Sequence, residues 1–300
     1  MARSIKSIER ILNPFFPDQS ELTELANLLN NQFTGKKAFI WLSSEQHGAA
    51  DLTALAAWVP NFVSIPPLGT LPSQLAEFKA GQIYPLDLSS IFEGSIVAGM
   101  TSPPQRILDL CAAPGGKTIF SYRYFNSSTK IEKFVANELV KSRTKILREN
   151  VIKYRLENIE VTAFDPSYFA EFHSEEFDLV VVDAPCSGQS LLGKDKNSDA
   201  TFHPTMIKKN AMRQRRILAN AITAAAPGGH IAYMTCTFSK DENEDVIAWA
   251  LREFPGITAI PVETHRAYQS SVVEFACYRL WPNQGLGLGG FTCLLKKSSS

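Results

Sequence analysis

Two cysteines stand out as candidates for chemistry in this sequence. Cys186 lies in Asp183-Ala184-Pro185-Cys186-Ser187-Gly188, and Cys236 lies in Met234-Thr235-Cys236-Thr237. Each follows an apolar run rather than sitting inside it, flanked by turn-forming or polar residues, which is the setting of a reactive thiol. Cys277 and Cys293 read instead as small buried hydrophobes. One reaction asks for such a pair. Cytosine C5 is a poor nucleophile, but a thiolate adding at C6 turns C5 into an enamine carbon able to attack a sulfonium methyl group. One thiol attacks and the other assists elimination. Asp183, if protonated as the thiolate adds, can hydrogen-bond N3 and steady the developing charge.

A methyl donor of that kind needs its own site. The run Asp109-Leu110-Cys111-Ala112-Ala113-Pro114-Gly115-Gly116-Lys117-Thr118 passes from an apolar stretch into a helical one. Its small residues let backbone N–H groups and a helix N-terminus approach a carboxylate-bearing ligand. It is not a phosphate loop: Gly116-Lys117-Thr118 supplies the ending, but Cys111 stands where the first glycine must be and Pro114 stiffens the turn. Glu138 follows at about the distance, roughly 20 residues, where doubly wound nucleotide sites place a carboxylate for ribose hydroxyls. Asp165 after the next strand can accept from an adenine amino group. Asp109, Glu138 and Asp165 together describe an adenosine pocket without a phosphate clamp, as S-adenosylmethionine requires.

The elements that must position these residues follow from periodicity. Residues 107–110, 134–136, 159–163, 179–182 and 231–234 read as strands buried on both faces, and 117–125, 140–156, 206–226 and 242–254 as helices between them. That alternation predicts an α/β fold, a Rossmann-like doubly wound sheet with helices on both faces and ligands beyond the carboxyl ends of its strands. Ser239 with Glu242 reads as a capping box for the last helix. Ahead of the sheet, 18–33 and 52–58 read as helices and 38–42 as a strand, until Pro60, Pro66, Pro67 and Pro72 break regular structure. A small α+β domain over 1–78, a candidate RNA-binding unit, and a catalytic domain over 79–300 are expected.

Composition narrows the function classes. With 300 residues, 45% hydrophobic and 20% charged, the chain is neither collagenous, coiled-coil nor wholly disordered. Lys+Arg 30 balance Asp+Glu 30, so a nucleic-acid surface has to be local. Lys208, Lys209, Arg213, Arg215 and Arg216 supply one beside the thiols, with Lys194 after the Cys186 loop as a further contact. Five scattered cysteines without a C-x-x-C pair argue against disulfides and zinc, and five separated histidines, His47 among them, lack metal-ligand spacing, so no metal is expected. No run approaches the ~18 apolar residues of a membrane span, and the first residues lack a secretory core, so a cytoplasmic monomer is expected. Gly285-Leu286-Gly287-Leu288-Gly289-Gly290 matches a dinucleotide fingerprint formally, but the strand-like 291–296 follows it rather than a helix.

The stretches 110–118, 183–188 and Thr235-Cys236-Thr237 followed by Glu242-Asn243-Glu244 resemble the Nop/Sun RNA (cytosine-5) methyltransferases over roughly residues 81 to 297. The resemblance implies S-adenosylmethionine held by Cys111, Ala112, Ala113, Pro114, Gly115, Gly116 and Lys117, with Glu138, Arg143, Asp165 and Asp183. It implies Cys236 as nucleophile, Cys186 in product release and Asp183 at the target base, with Lys117 also in the catalytic set. Ribosomal RNA is the first expected substrate and transfer RNA the second. Three departures bear on substrate handling: Leu86-Asp87 where a Gln precedes the acid, Gly289-Gly290-Phe291-Thr292 where Asp-Gly-Phe-Phe is usual, and Ala38-Phe39-Ile40-Trp41 where a basic strand is common. A DNA cytosine-5 methyltransferase would use the Pro-Cys thiol and carry Glu-Asn-Val, which is absent. An RNA-binding assembly factor that kept the fold without turnover would not need Asp183, Cys186 and Cys236 together.

Overall fold

The computed structural model describes residues 5–31, 33–42, 57–126, 129–193 and 199–299. The chain opens with α1 (Ile5–Leu12) and α2 (Gln19–Asn30). Asp18 caps α2 by accepting from the Ser20 and Glu21 amides at 2.8 and 3.0 Å, which satisfies two of the helix's orphan donors. Then come β1 (Lys37–Trp41), β2 (Val63–Ser64), α3 (Ala76–Lys79) and β3 (Ile83–Asp87), and the strands form an antiparallel sheet in the order β2-β1-β3. The expected helix over 52–58 lies outside the described residues up to 56, and Ala57-Trp58 form a turn. The third strand of this sheet therefore comes from beyond residue 78. Trp58, Phe62 and Val63 share one apolar core with Phe92, Ile107 and Phe120, so the two sheets are packed together rather than strung on a linker.

From α4 (Leu88–Gly94) onward the order is β4 (Arg106–Asp109), α5 (Gly116–Phe125), β5 (Lys133–Asn137), α6 (Lys141–Lys153), β6 (Ile159–Thr162), α7 (Pro166–Phe172), β7 (Phe177–Asp183), α8 (Pro204–Ala224), β8 (Ala225–Thr235), α9 (Glu244–Glu253), β9 (Ile257–Ala259), β10 (Tyr278–Leu280) and β11 (Gly290–Lys297). The large sheet runs β10-β11-β8-β7-β4-β5-β6, with β9 on β11, and its central strands from β8 to β6 are parallel. Side chains alternate along each strand. Ile107, Leu179, Val181, Ala232 and Met234 enter the layer that holds α4 and α5, whereas Leu108, Val180, Val182, Ile231 and Tyr233 enter the layer that holds α8 and α9. The Rossmann-like sheet expected from the sequence is present, and the glycine-rich 285–289 is a turn ahead of β11. No helix among the described residues is long and apolar enough to cross a membrane.

Strand ends are tied together by one amide. Buried Asn137, last residue of β5, donates through Nδ2 to Leu110 O at 3.2 Å and Phe164 O at 3.0 Å. Its Oδ1 accepts from Thr162 Oγ1 and Phe164 N, both at 2.9 Å. Those bonds fix the carboxyl ends of β4, β5 and β6, which carry the loop after Asp109, Glu138 and Asp165. Asn137→Ala strands several buried backbone partners, so we expect a loss of about 2–3 kcal/mol in unfolding free energy, read by urea denaturation.

Candidate active site

β7 and β8 are parallel neighbours with Asp183 opposite Met234, which brings the two segments that follow them to one edge of the sheet. Ala184 N donates to Met234 O at 2.9 Å, and Ser190 N to Cys236 O at 3.1 Å. The Cys186 and Cys236 sulfurs lie 3.3 Å apart. Both are free and half-buried. The hydrogen bond with Cys236, reinforced by burial, pushes the Cys186 thiol well above its ordinary value, so Cys186 keeps its proton.

A buried carboxylate braces the pair. Glu242 Oε2 accepts from Ser187 N at 2.9 Å and from Gln214 Nε2 at 3.0 Å, and Gln214 Nε2 also reaches Pro185 O at 3.0 Å. Ser187 Oγ and Thr237 Oγ1 are 2.8 Å apart, and Asn243 spans Thr235 Oγ1 at 2.5 Å and Thr237 O at 2.9 Å. The expected Ser239–Glu242 capping box does not form. Ser239 makes no side-chain cap bond, Glu242 belongs to a short 3-10 turn over Lys240–Glu242, and its carboxylate turns inward because the Ser187 amide needs an acceptor there. Burial pushes the Glu242 carboxyl up, against the bonds from Ser187 and Gln214 that stabilise its charge.

Lys117, in the first turn of α5, is buried between two acids. Its Nζ lies 3.2 Å from Asp183 Oδ2 and 2.5 Å from Glu93 Oε2. Burial alone would lower the Lys117 ammonium, but Asp183 and Glu93 outweigh it and raise it. Burial pushes Glu93 up to about 8, with Lys117 pulling the other way and Asp183 adding to the rise. Glu93 was not among the residues read from the sequence: it sits in the apolar stretch 91–97, with no motif around it. A cavity of about 530 Å³ opens against Glu93 and Cys236, and its other walls include Phe33, Lys37, Asp87 and Ser90.

The loop expected to hold a cofactor turns on Gly115, whose φ of 117° is a left-handed conformation that a side chain would strain. Ala113 O accepts from Arg143 Nη2 at 2.5 Å and Pro114 O from Asn150 Nδ2 at 2.7 Å, so α6 holds the loop in place. Cys111, Glu138, Arg143, Arg213 and Arg216 line one cleft, with Pro185 on its far wall. Glu138 is buried; its Oε1 accepts from Val140 N at 2.9 Å, while Oε2 makes only the ion-pair contact with Arg143 Nη1 at 3.0 Å. Arg143 bridges Glu138 and Ala113, and the cleft closes to about 30 Å³. Asp165 caps α7 through Ser167 N at 3.0 Å, a bond that lowers its carboxyl, and meets Arg216 at 3.4 Å.

Three sequence expectations are redistributed by this geometry. Asp109 is not a pocket acid. It is wholly buried, accepts from Thr118 Oγ1 at 2.7 Å and Cys111 N at 3.4 Å, and burial pushes it up to about 7. Lys117 and Asp183 pair with each other, and Lys117 with Glu93, and neither is among the residues that line the Glu138 cleft. The basic helix splits: Lys208 and Lys209 are exposed, Arg213 and Arg216 line the cleft, and Arg215 lies over the Trp249 ring at 5.8 Å with its Nε buried. Arg215 is drawn inward because its stem covers α9. Lys194 and His47 lie outside the described residues, which hold no group of three His, Cys, Asp or Glu able to bind a metal ion.

Known proteins share this arrangement of elements. The chain is similar to Ribosomal RNA small subunit methyltransferase F of Escherichia coli O9:H4, at 31% identity over 236 residues, 78% of this chain and 48% of the relative. It thus spans less than half the length of the curated relatives it matches. Among solved structures, a methyltransferase homolog protein from Pyrococcus horikoshii superposes with a TM-score of 0.76 at 20% identity, covering 98% of both chains. NSun6 from Pyrococcus horikoshii, solved with SFG, superposes with a TM-score of 0.64 at 24% identity over 80% of this chain and 58% of that one. The sequence profile described as 16S rRNA methyltransferase RsmB/F matches residues 100–296, two thirds of the length and every strand of the large sheet, and the chain belongs to that family.

Proposed function

We propose that this chain methylates C5 of a cytosine in RNA, with ribosomal RNA as the substrate class, through a bond between Cys236 Sγ and cytosine C6. The observation that carries the reading is the pair of free sulfurs 3.3 Å apart at the tips of adjacent strands, with Cys236 opening on a cavity large enough for a base. The relatives named for ribosomal RNA small subunit methylation, and the neighbour solved with SFG, support the substrate class and the donor. Transfer RNA is the second substrate class.

S-adenosylmethionine, when bound, supplies the electrophilic methyl group. Glu138, Cys111, Arg143 and the 111–116 backbone would hold it. Glu138 Oε2 fits that role, being buried and short of a hydrogen bond, as an acceptor for ribose hydroxyls must be. Arg143, half-exposed and bonded to both Glu138 and Ala113 O, stands at the edge of this cleft. On the other side, the Cys236 thiolate adds to C6 and displaces the C5=C6 electron pair towards N3, where Asp183 places a proton. After methyl transfer C5 gives its proton to water, the C5=C6 double bond re-forms and the C6–S bond breaks, returning Cys236 as the thiolate. Cys186, which keeps its proton beside the sulfur of Cys236, is placed to hydrogen-bond that departing thiolate.

Cys236→Ala is expected to abolish radiolabelled methyl transfer while S-adenosylmethionine affinity, read by calorimetry, stays unchanged; turnover at the normal rate would remove Cys236 as nucleophile. Cys186→Ala is expected to trap a protein–RNA adduct that survives denaturing electrophoresis, because attack proceeds and release fails. Lys208→Ala with Lys209→Ala should weaken RNA binding and flatten log Kd against log salt by about 1.4 for a single strand, whereas Arg216→Ala should act on donor affinity instead.

A further inference from the structure

Glu93 is a buried acid at this edge that the proposed reaction has not used. It is fully buried on α4, and β11 makes room for it: a Cβ on Gly290 would overlap its Oε1, and its own carbonyl accepts from Thr292 Oγ1 at 3.0 Å. The charged groups that face it are Lys117 from α5, Asp183 from β7 and Asp87 at the start of α4, with Lys37 across the cavity. Tyr84 and Asp109 face Lys117 in turn. One buried ammonium thus serves two carboxylates, Glu93 and Asp183. Asp183 is about a third exposed, but Glu93 and Lys117 are buried. With both acids ionised, the trio carries an excess negative charge whose Glu93 end is out of reach of water, which is costly; one further proton, on Glu93, removes it.

We propose that Glu93 stores the proton that Asp183 delivers to cytosine N3 when Cys236 adds to C6. Lys117, touching both acids, is the carrier. Lys117 gives a proton to Asp183 Oδ2, Asp183 hands it on to N3, and Lys117 takes the proton of the Glu93 carboxyl. Glu93 is left as a carboxylate, paired to a Lys117 that is still an ammonium. When the C6–S bond breaks and the ring regains its double bond, the N3 proton returns by the same three groups. No other bond is made or broken, and the trio ends as it began. The rise of Glu93 to about 8 means that it holds this proton at neutral pH. Glu93 acts on the base only through Lys117 and Asp183, so it is a positioning residue rather than a catalytic one.

The inference rests on the proposed methyl transfer, and its test separates the two. Single-turnover methylation of small-subunit ribosomal RNA transcribed in vitro is measured across pH for wild type, Glu93→Gln and Glu93→Asp, together with S-adenosylmethionine affinity. The active form is the protonated store, so the wild-type rate falls as pH rises through its titration. Glu93→Gln keeps a polar group beside Lys117 but has no proton to lend. Its rate near neutrality is expected to drop about 10²-fold and its alkaline fall to vanish, with donor affinity unchanged. Glu93→Asp is expected to keep the alkaline fall, and decides the matter if the Gln variant does not fold. An active wild type whose alkaline fall persists in Glu93→Gln, or is lost in Glu93→Asp, overturns the proton store alone. A wild type that transfers no methyl group to this RNA overturns the proposed function and the inference with it.

Discussion

The two thiols meet because one carboxylate has been taken out of water. Glu242 has no surface to reach, and the Ser187 amide and Gln214 are what it finds instead. Removing a carboxylate from water costs several kcal/mol unless hydrogen bonds replace its hydration, so the bracing is strong in the sense that its failure is costly. The same demand runs through the neighbouring residues. Asn243 bridges both sides of Cys236, and Glu244 forms a wholly buried pair with Arg279, whose guanidinium is 4.1 Å from the centre of the Phe15 ring. Three consecutive polar residues, Glu242, Asn243 and Glu244, thus bind the Pro-Cys loop, the Thr-Cys loop and the first segment of the chain into a rigid frame around the sulfurs.

Against that frame, the two ligand-facing regions are built on opposite electrostatic plans. Beside Cys236, the acids Glu93 and Asp183 share one lysine, and the charge balance is short of a cation. In the Glu138 cleft, arginines 143, 213 and 216 face Glu138 and Asp165, and cations are in excess. Segregation of this kind suits the proposed division of labour, one region holding a proton and the other the carboxylate of a donor, with the 111–116 loop and β7 between them.

Much of this was legible from residue order alone. β4, β5, β7 and β8 showed themselves because they are largely buried on both faces and read as apolar runs, whereas β6, at the sheet edge, is only partly buried with Glu160 exposed; the residues after each run fell where a parallel sheet places its ligands. Cys186 and Cys236 were found because they follow such runs. What could not be read was set by partners distant in sequence. Glu93 is an acid in an apolar helix until Lys117 and Gly290 are brought to it. Glu242 satisfies the spacing of a cap, and only the fold reveals that an amide 55 residues earlier claims its carboxylate. Asp109 followed the strand-end rule yet turned inward to Thr118, and α7 went unnoticed because it is seven residues long and aromatic.

The cavity at Cys236 is walled on one side by Phe33, Lys37, Asp87 and Ser90, which belong to the first sheet and its flanks, and on the other by Glu93 and the thiol itself. On the proposed reaction, a nucleotide entering it would meet both sheets in the same moment. Recognition and reaction would then be mechanically inseparable: whatever shifts the small sheet would also shift the distance between the sulfur and the carbon it is proposed to attack.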